Sequence, residues 1–132
     1  MDWALQRHDT PRDQIDLINP HGTSTPLGDL REAQAIHSVF GDRASEIAIT
    51  GTKSMTGHLM GAAGAVEGVF TVLSVHHQIA PATLNFEDPD PEIALDVVHG
   101  ASRDMEIRYA MSDNIGLGGH NGAIIFKRYA GD

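Results

Sequence analysis

The sequence contains no cysteine, and aromatic residues make up only 5% of its 132 residues. Without cysteine the chain can form no disulfide, no thiolate metal site and no thiol nucleophile. No stretch approaches the roughly 20 apolar residues that a membrane span needs, and the first residues do not resemble a signal peptide. Basic residues are few, and a formal charge of −9 disfavours binding to nucleic acid. We therefore expect a cytoplasmic protein that binds neither nucleic acid nor membrane.

The remaining composition is that of a folded domain. Hydrophobic residues make up 41% of the chain, and its length suits one domain spanning residues 1–132. Residues 14–20 and 46–50 predict strands, and residues 25–41 between them predict a helix in which Thr25 is the N-cap and Pro26 the first helical residue.

The second half of the chain has a different pattern. We predict a second helix from about residue 57 to 77, an ordered loop over residues 78–96 with a short strand at 95–98, and a hairpin of strands at 107–113 and 122–129. The order predicts an α/β fold, with helices layered on a mixed sheet.

Two segments that follow strands carry titratable side chains. His21 lies in "NPHGTST", where ligands of α/β sheets usually bind, although a histidine that only bonds its own turn explains the pattern equally well. In "TKSMTGHLMGAAGAVEG", His58 would lie in the first helical turn, where the helix dipole keeps the ring neutral, and Lys53 would supply a fixed positive charge. The alternative is that Lys53 and Glu67 form a structural ion pair and His58 caps the helix. The glycine and alanine spacing of this segment predicts close packing of another backbone.

The glycines of "NIGLGGHNG", residues 114–122, allow backbone N–H groups to approach a substrate oxygen, but an ordinary hairpin turn is the commoner explanation. The segment is not the G-x-G-x-x-G of a dinucleotide site. The eight histidines show no metal-ligand spacing, so we predict no metal site.

Four segments in this order resemble the C-terminal half of a β-ketoacyl-acyl-carrier-protein synthase, a thiolase-like condensing enzyme of fatty-acid synthesis. They are "INPHGTSTPLGDLREAQAIHSVFG", "TGTKSMTGHLMGAAGAVEGVFTVL", "APATLNFEDPDPEIALDVV" and "GLGGHNGAIIFKR". The resemblance covers nearly the whole chain. It implies decarboxylative condensation of a malonyl thioester with an acyl chain, without a cofactor, on acyl carrier protein or another pantetheine thioester.

The resemblance also implies a role for each matching residue. His21 and His58 match the two histidines that hold the extender thioester carbonyl, and Lys53 matches the lysine that organises the catalytic site, with Glu67 as its acidic partner. The positions that match substrate-binding residues are Thr23 and Thr25, for the pantetheine arm, and Ile115, Leu117, Gly118 and Gly119, for the turn beside the acyl pocket.

The sequence departs from the family in three ways. The nucleophilic cysteine belongs to an N-terminal half that this chain lacks, so the sequence does not account for complete acyl transfer. Ile115 and Leu117 replace two phenylalanines of the acyl channel. The first strand of the half, central in the family's sheet, is expected to be missing, and a homodimer would cover the exposed surface. A non-catalytic acyl- or pantetheine-binding module and a half-domain with hydrolytic activity remain as alternatives.

Overall fold

The computed structural model describes residues 1–131, which form one layered α/β unit. The helices are α1 (Asp2–Arg7), α2 (Pro26–Phe40), α3 (Lys53–Thr56) and α4 (Ala63–His77). The strands are β1 (Ile15–Asn19), β2 (Ala48–Ile49), β3 (Ile79–Ala80), β4 (Asp96–Val97), β5 (Arg103–Asp104), β6 (Tyr109–Ile115) and β7 (Asn121–Lys127). The described residues contain no helix that is long and apolar enough to cross a membrane.

The main sheet has five strands in the order β4-β2-β1-β6-β7. The pairs β1–β2, β1–β6 and β2–β4 are parallel, whereas β6 and β7 form the expected antiparallel hairpin. The expectation of a missing central strand is wrong, because β1 occupies the centre and pairs on both sides. The pairing of β1 is long-range, so the local sequence pattern could not assign its place in the sheet.

The helices cover both faces of this sheet. Adjacent residues of β1 point to opposite faces, and Ile18 packs in a cluster with Ile36 and Phe40 of α2, whereas Leu17 packs in a second cluster with Val75 of α4. The result is a three-layer arrangement of helix, sheet and helix. The carboxyl ends of β1, β2 and β6 lie at one edge of the sheet, because these strands run parallel.

The predicted second helix is the main local error. The chain forms the short helix α3, and Gly57, at φ +71°, ends it. Met60 also has a positive φ of +52°, and a 3-10 turn at Met60–Ala62 leads into α4. His58 therefore lies in the linker between two helices, and our expectation that it occupies the first turn of a helix is wrong. The sequence pattern did not predict these breaks, because the many small residues of "TGHLMGAAGA" leave no apolar spacing from which the start of a helix could be located.

The small residues of the linker and α4 do not bring another backbone close, as the sequence predicted, because the atoms that a Cβ would meet at their glycines belong to side chains. A Cβ added at Gly68 would lie 3.6 Å from the ring of Phe126 on β7, which is an ordinary van der Waals contact that an alanine could make. Gly64 similarly faces Asn114 at the end of β6. Nothing lies within 4 Å of a Cβ added at Gly57 or Gly61, so these two glycines serve the backbone path and not packing.

Candidate active site

The site is built where β1, β2 and β6 end. The loop after β1 carries His21, the segment after β2 carries Lys53 and His58, and β6 carries Asn114 near its end. Because the three strands are parallel neighbours, their carboxyl ends bring these four side chains together. The structure thus unites the three residues that the sequence analysis predicts as catalytic.

Lys53 and Glu67 form a buried ion pair. Lys53 Nζ lies 2.5 Å from Glu67 Oε1, and the two side chains are only 5% and 2% exposed. Lys53 begins α3 and Glu67 lies one turn inside α4, so the pair joins two helices that the linker separates. Removing a charged group from water costs desolvation free energy, so Lys53 and Glu67 can be buried together only because each compensates the charge of the other.

Asn114 connects this ion pair to His21. Its Nδ2 donates to Glu67 Oε2 at 2.8 Å, and its Oδ1 lies 3.5 Å from Lys53 Nζ and 3.3 Å from His21 Nδ1. Asn114 is not among the site residues predicted from the sequence. A polar residue near the end of a strand was the available signal, but its three partners lie far away in sequence.

The two histidine rings face each other edge to face, with centroids 5.5 Å apart. The backbone N–H of Met60 donates to His58 Nδ1 at 3.3 Å. A neutral His58 ring therefore carries its hydrogen on Nε2 and offers that group as a donor. The hydrogen bond from Met60, and not a helix dipole, determines which ring nitrogen of His58 carries the hydrogen.

Glu32 fixes the loop that carries His21. Its carboxylate accepts hydrogen bonds from the backbone N–H groups of His21, at 2.7 Å, and Gly22, at 2.8 Å. Glu32 is buried on α2 beside Ala33. Glu32 is not among the site residues predicted from the sequence, although an acid next to the apolar face of a helix is a detectable signal.

A cavity of about 400 Å³ opens beside Lys53 and His58. Lys53, His58 and Thr23 line it, and Leu84, Phe86 and Ile93 supply apolar wall. Thr25 is not in this lining: it is the residue before α2, and its hydroxyl lies 3.5 Å from that of Thr23. In the part of the chain that the structure describes, no three histidine, aspartate or glutamate side chains are grouped as metal ligands would be.

The four predicted residues of the hairpin turn lie away from this cavity. Ile115 ends β6, Leu117 is fully exposed, and Gly118 and Gly119 have φ angles of +81° and +82°. None of the four lines the cavity. The positive φ angles explain why glycine occupies both positions, since other residues are strained there.

Asp113 is a buried carboxyl group behind the site. Burial, and after it the negative charge of Glu32, raises the pKa of Asp113 to about 8 from an ordinary value of 3.8. Its Oδ1 atom has no hydrogen-bond partner. This raised pKa favours the protonated, neutral form of the Asp113 carboxyl at pH 7 in the folded protein.

We expect Asp113→Asn to raise the free energy of unfolding at pH 7 by on the order of 1 kcal/mol, and to flatten its pH dependence. Between about pH 4 and pH 8 the folded wild type holds a proton that the unfolded chain has released, so wild-type stability falls as pH rises through this window. Urea unfolding of both proteins at pH 5 and pH 8 measures the effect. Asp88→Asn, at an exposed position, is the control. An equal pH slope in wild type and Asp113→Asn would contradict the assignment.

The layered α/β fold places the protein with the thiolase-like ketosynthases, whose solved structures it resembles. Residues 1–87 match the family model "Beta-ketoacyl synthase, C-terminal domain", and the chain belongs to this family. The resemblance stated from the sequence motifs is therefore confirmed.

Curated relatives agree with this assignment. The chain is 45% identical to 3-oxoacyl-[acyl-carrier-protein] synthase 2 of Staphylococcus aureus (strain COL) over 119 residues, which is 90% of this chain and 28% of that protein. It is also 45% identical to the Synechocystis sp. protein of the same name, over 96% of this chain and 30% of that one. The chain thus spans less than a third of the length of these relatives.

Solved structures confirm the fold class. A type II polyketide acyl-carrier protein in complex with its ketosynthase matches with a TM-score of 0.94 and 33% identity, over 97% of this chain and 31% of that one. A β-ketoacyl synthase from Burkholderia phymatum matches with a TM-score of 0.88 and 38% identity, over 96% and 30% of the two chains. The protein is a ketoacyl synthase C-terminal domain homologous to the fatty-acid 3-oxoacyl-acyl-carrier-protein synthases.

Proposed function

We propose that this chain forms the part of a β-ketoacyl synthase site that binds the carbonyl of a malonyl thioester and promotes its decarboxylation. The observation that carries the proposal is the pair of histidine rings, 5.5 Å apart, at the site that holds Lys53. In the reaction the bond between the carboxylate and the α-carbon breaks and carbon dioxide leaves. The electron pair of that bond delocalises over the α-carbon and the thioester oxygen as an enolate, which in this chain takes up a proton from water at the α-carbon to give the acetyl thioester.

Each side chain has a defined part in this proposal. His58 donates its Nε2–H to the thioester oxygen, on which negative charge develops, and a donor already in place lowers that barrier. His21 is the second group at the same oxygen. Lys53 adds a fixed positive charge, and Glu67 holds the lysine in position. Thr23 is proposed to contact the pantetheine arm, because it lines the cavity beside His58.

The remaining predicted substrate residues are assigned by resemblance. We propose that Thr25, next to Thr23, also lies along the pantetheine arm. Ile115, Leu117, Gly118 and Gly119 would border the acyl chain, which requires a substrate that extends beyond the cavity. The thioester would be delivered by acyl carrier protein, as supported by the ketosynthase relative in complex with its acyl-carrier protein. We propose the cytoplasm as the location, on the basis of the homology to bacterial 3-oxoacyl-acyl-carrier-protein synthases.

Binding without chemistry is the second candidate function. Condensation needs a nucleophile that carries the acyl chain, and this sequence contains no cysteine for that step. The cavity and its apolar wall would still bind a pantetheine thioester. Decarboxylation distinguishes the two candidates, because it requires the histidine donors and not the nucleophile.

The test is carbon dioxide release from malonyl-pantetheine by the purified chain. We expect release by the wild type and loss of release in the double variant His21→Ala, His58→Ala. His76→Ala, with an exposed histidine at the far end of α4, should retain the wild-type rate. Saturable binding of the thioester without release by the folded wild type would support the binding module and contradict decarboxylation.

We also propose a homodimer, on different grounds from those of the sequence analysis. The sheet is complete, so no missing strand needs a partner. However, α4 exposes Val69, Val72 and Leu73, at 57%, 46% and 44%, and Ile124 on the adjacent strand β7 is 57% exposed. Contiguous apolar surface of this kind usually marks an interface, and twofold dimers are the commonest closed assembly.

Sedimentation equilibrium at micromolar concentration tests the dimer. We expect a dimer for the wild type and a monomer for Val69→Lys, Leu73→Lys, because the new charges would be buried against each other. Leu27→Lys on α2 is the control, since Leu27 is equally apolar and 65% exposed but lies on the other side of the sheet. A monomeric wild type would contradict the proposal.

A further inference from the structure

We infer that Asn114 is a positioning residue that holds the ring hydrogen of His21 on Nδ1, so that His21 can donate from Nε2 only when the ring is protonated. The inference about the ring stands on contacts alone. Its consequence for the reaction rests on the proposed function, because it concerns how many donors the thioester oxygen meets.

The orientation of the Asn114 amide follows from the charges around it. The Nδ2 group donates to the Glu67 carboxylate at 2.8 Å, and Oδ1 lies 3.5 Å from the Lys53 ammonium. Rotating the amide by half a turn would place its oxygen against the carboxylate and its NH₂ group against the ammonium. The buried Lys53–Glu67 pair therefore determines which atom of Asn114 faces His21.

The orientation of Asn114 in turn determines the tautomer of His21. A carbonyl oxygen can only accept, so His21 Nδ1, 3.3 Å from Asn114 Oδ1, must carry a hydrogen to bond it. A neutral ring then has a lone pair on Nε2. The neighbouring ring has the opposite arrangement, because the Met60 N–H donates to His58 Nδ1 and leaves the His58 hydrogen on Nε2.

The two histidines are consequently not equivalent. When both rings are neutral, the pair offers one N–H donor, from His58, and one acceptor, from His21. Two donors toward a single thioester oxygen exist only when His21 is protonated, because Asn114 Oδ1 still accepts from Nδ1–H in that form. The two-donor form of the site should therefore be lost as pH rises and His21 releases its proton.

Several charged groups lie around His21 on the neighbouring elements. Glu32 bonds the backbone of His21 from α2, the His58 ring packs against it, and the Lys53–Glu67 pair reaches it through Asn114. On β6 the neighbour of Asn114 is Asp113. Asp113 faces Glu32 and so reaches His21 only through it, and Asp29 of α2 accepts a hydrogen bond from the backbone N–H of Ser24 in the His21 loop.

Long-range proton–nitrogen NMR of the histidine rings tests the inference in the full chain, because it distinguishes a ring nitrogen that carries hydrogen from one that does not. At a pH where the rings are neutral, we expect hydrogen on Nδ1 of His21 and on Nε2 of His58. His21→Gln and His58→Gln identify the two signals. Wild-type His21 with its hydrogen on Nε2 would overturn the inference, and this result needs no variant of Asn114.

The variant Asn114→Leu keeps the approximate size of the side chain and removes the acceptor. We expect it to shift His21 toward the Nε2–H form, and we expect no shift in Asn121→Leu, at an exposed residue of the same hairpin. If Asn114→Leu does not fold, Asn114→Ser is used, since it shortens the side chain away from Nδ1. An unchanged His21 tautomer in a folded Asn114 variant would contradict the inference.

Decarboxylation then separates the two proposals. With the proposed function, wild-type release of carbon dioxide should fall on the order of tenfold or more as His21 loses its proton, and Asn114→Leu should flatten this profile. Hydrogen on Nδ1 without carbon dioxide release would support the positioning role and contradict the function. Release by a wild type whose His21 carries hydrogen on Nε2 would support the function and contradict the positioning role.

Discussion

Replacing Glu67 with alanine should lower the free energy of unfolding by roughly 3–5 kcal/mol, because the variant leaves a buried ammonium group without its partner. Lys53 is 5% exposed and its Nζ lies 2.5 Å from the Glu67 carboxylate, so neither water nor another acid replaces that contact. Urea unfolding followed by circular dichroism measures the loss. Among the changes predicted here, this one has the largest effect on stability.

Two controls isolate the cause. Glu46→Ala breaks an exposed ion pair with Arg43, also at 2.5 Å, and should change stability by only about 0–1 kcal/mol. The double variant Lys53→Met, Glu67→Leu removes both charges and should be more stable than Glu67→Ala alone, because no unpaired charge remains. A double variant that is less stable than Glu67→Ala would show that the ion pair is not the reason for the loss.

The second large effect concerns catalysis. We expect His58→Ala to reduce malonyl-thioester decarboxylation on the order of 10²–10³-fold, the usual consequence of removing one oxyanion donor. The stability of the fold should change little, because His58 is exposed in the linker between α3 and α4. Single-turnover measurement of carbon dioxide release, at saturating thioester, reports the chemical step.

His58→Gln tests the physical cause of that loss. The glutamine amide can donate one hydrogen bond, so this variant should retain more activity than His58→Ala. His77→Ala is a control for loss of an imidazole elsewhere, since His77 is exposed at the end of α4. Equal rates for His58→Ala and the wild type would exclude His58 as the donor.

The sequence predicted those parts of the molecule that depend on local signals. Thr25 and Pro26 begin α2 and Gly41 follows its last residue, as the cap and proline positions indicate. The antiparallel hairpin of β6 and β7 also forms where the two strand patterns predict it. His21, Lys53 and His58 come together in the structure because segments that follow parallel strands collect at one edge of the sheet.

The remaining features depend on contacts between distant residues. Asn114 lies 47 residues from Glu67 and 93 from His21, and no local pattern relates these positions. Glu32 reaches the His21 loop in the same way. The start of α4 was misjudged because positive φ at Met60 breaks the helix without a proline. The central place of β1 follows only from its pairing with β2 and β6.

The central claim is that this chain alone assembles donors that polarise a thioester carbonyl. Carbon-13 NMR of acetyl-pantetheine labelled at that carbonyl is the most direct test, because this ligand binds like the substrate but cannot decarboxylate. We predict a downfield shift of the carbonyl signal on saturation with the wild type, and none with His21→Ala, His58→Ala. A bound ligand whose carbonyl signal stays at its value in water would contradict the claim.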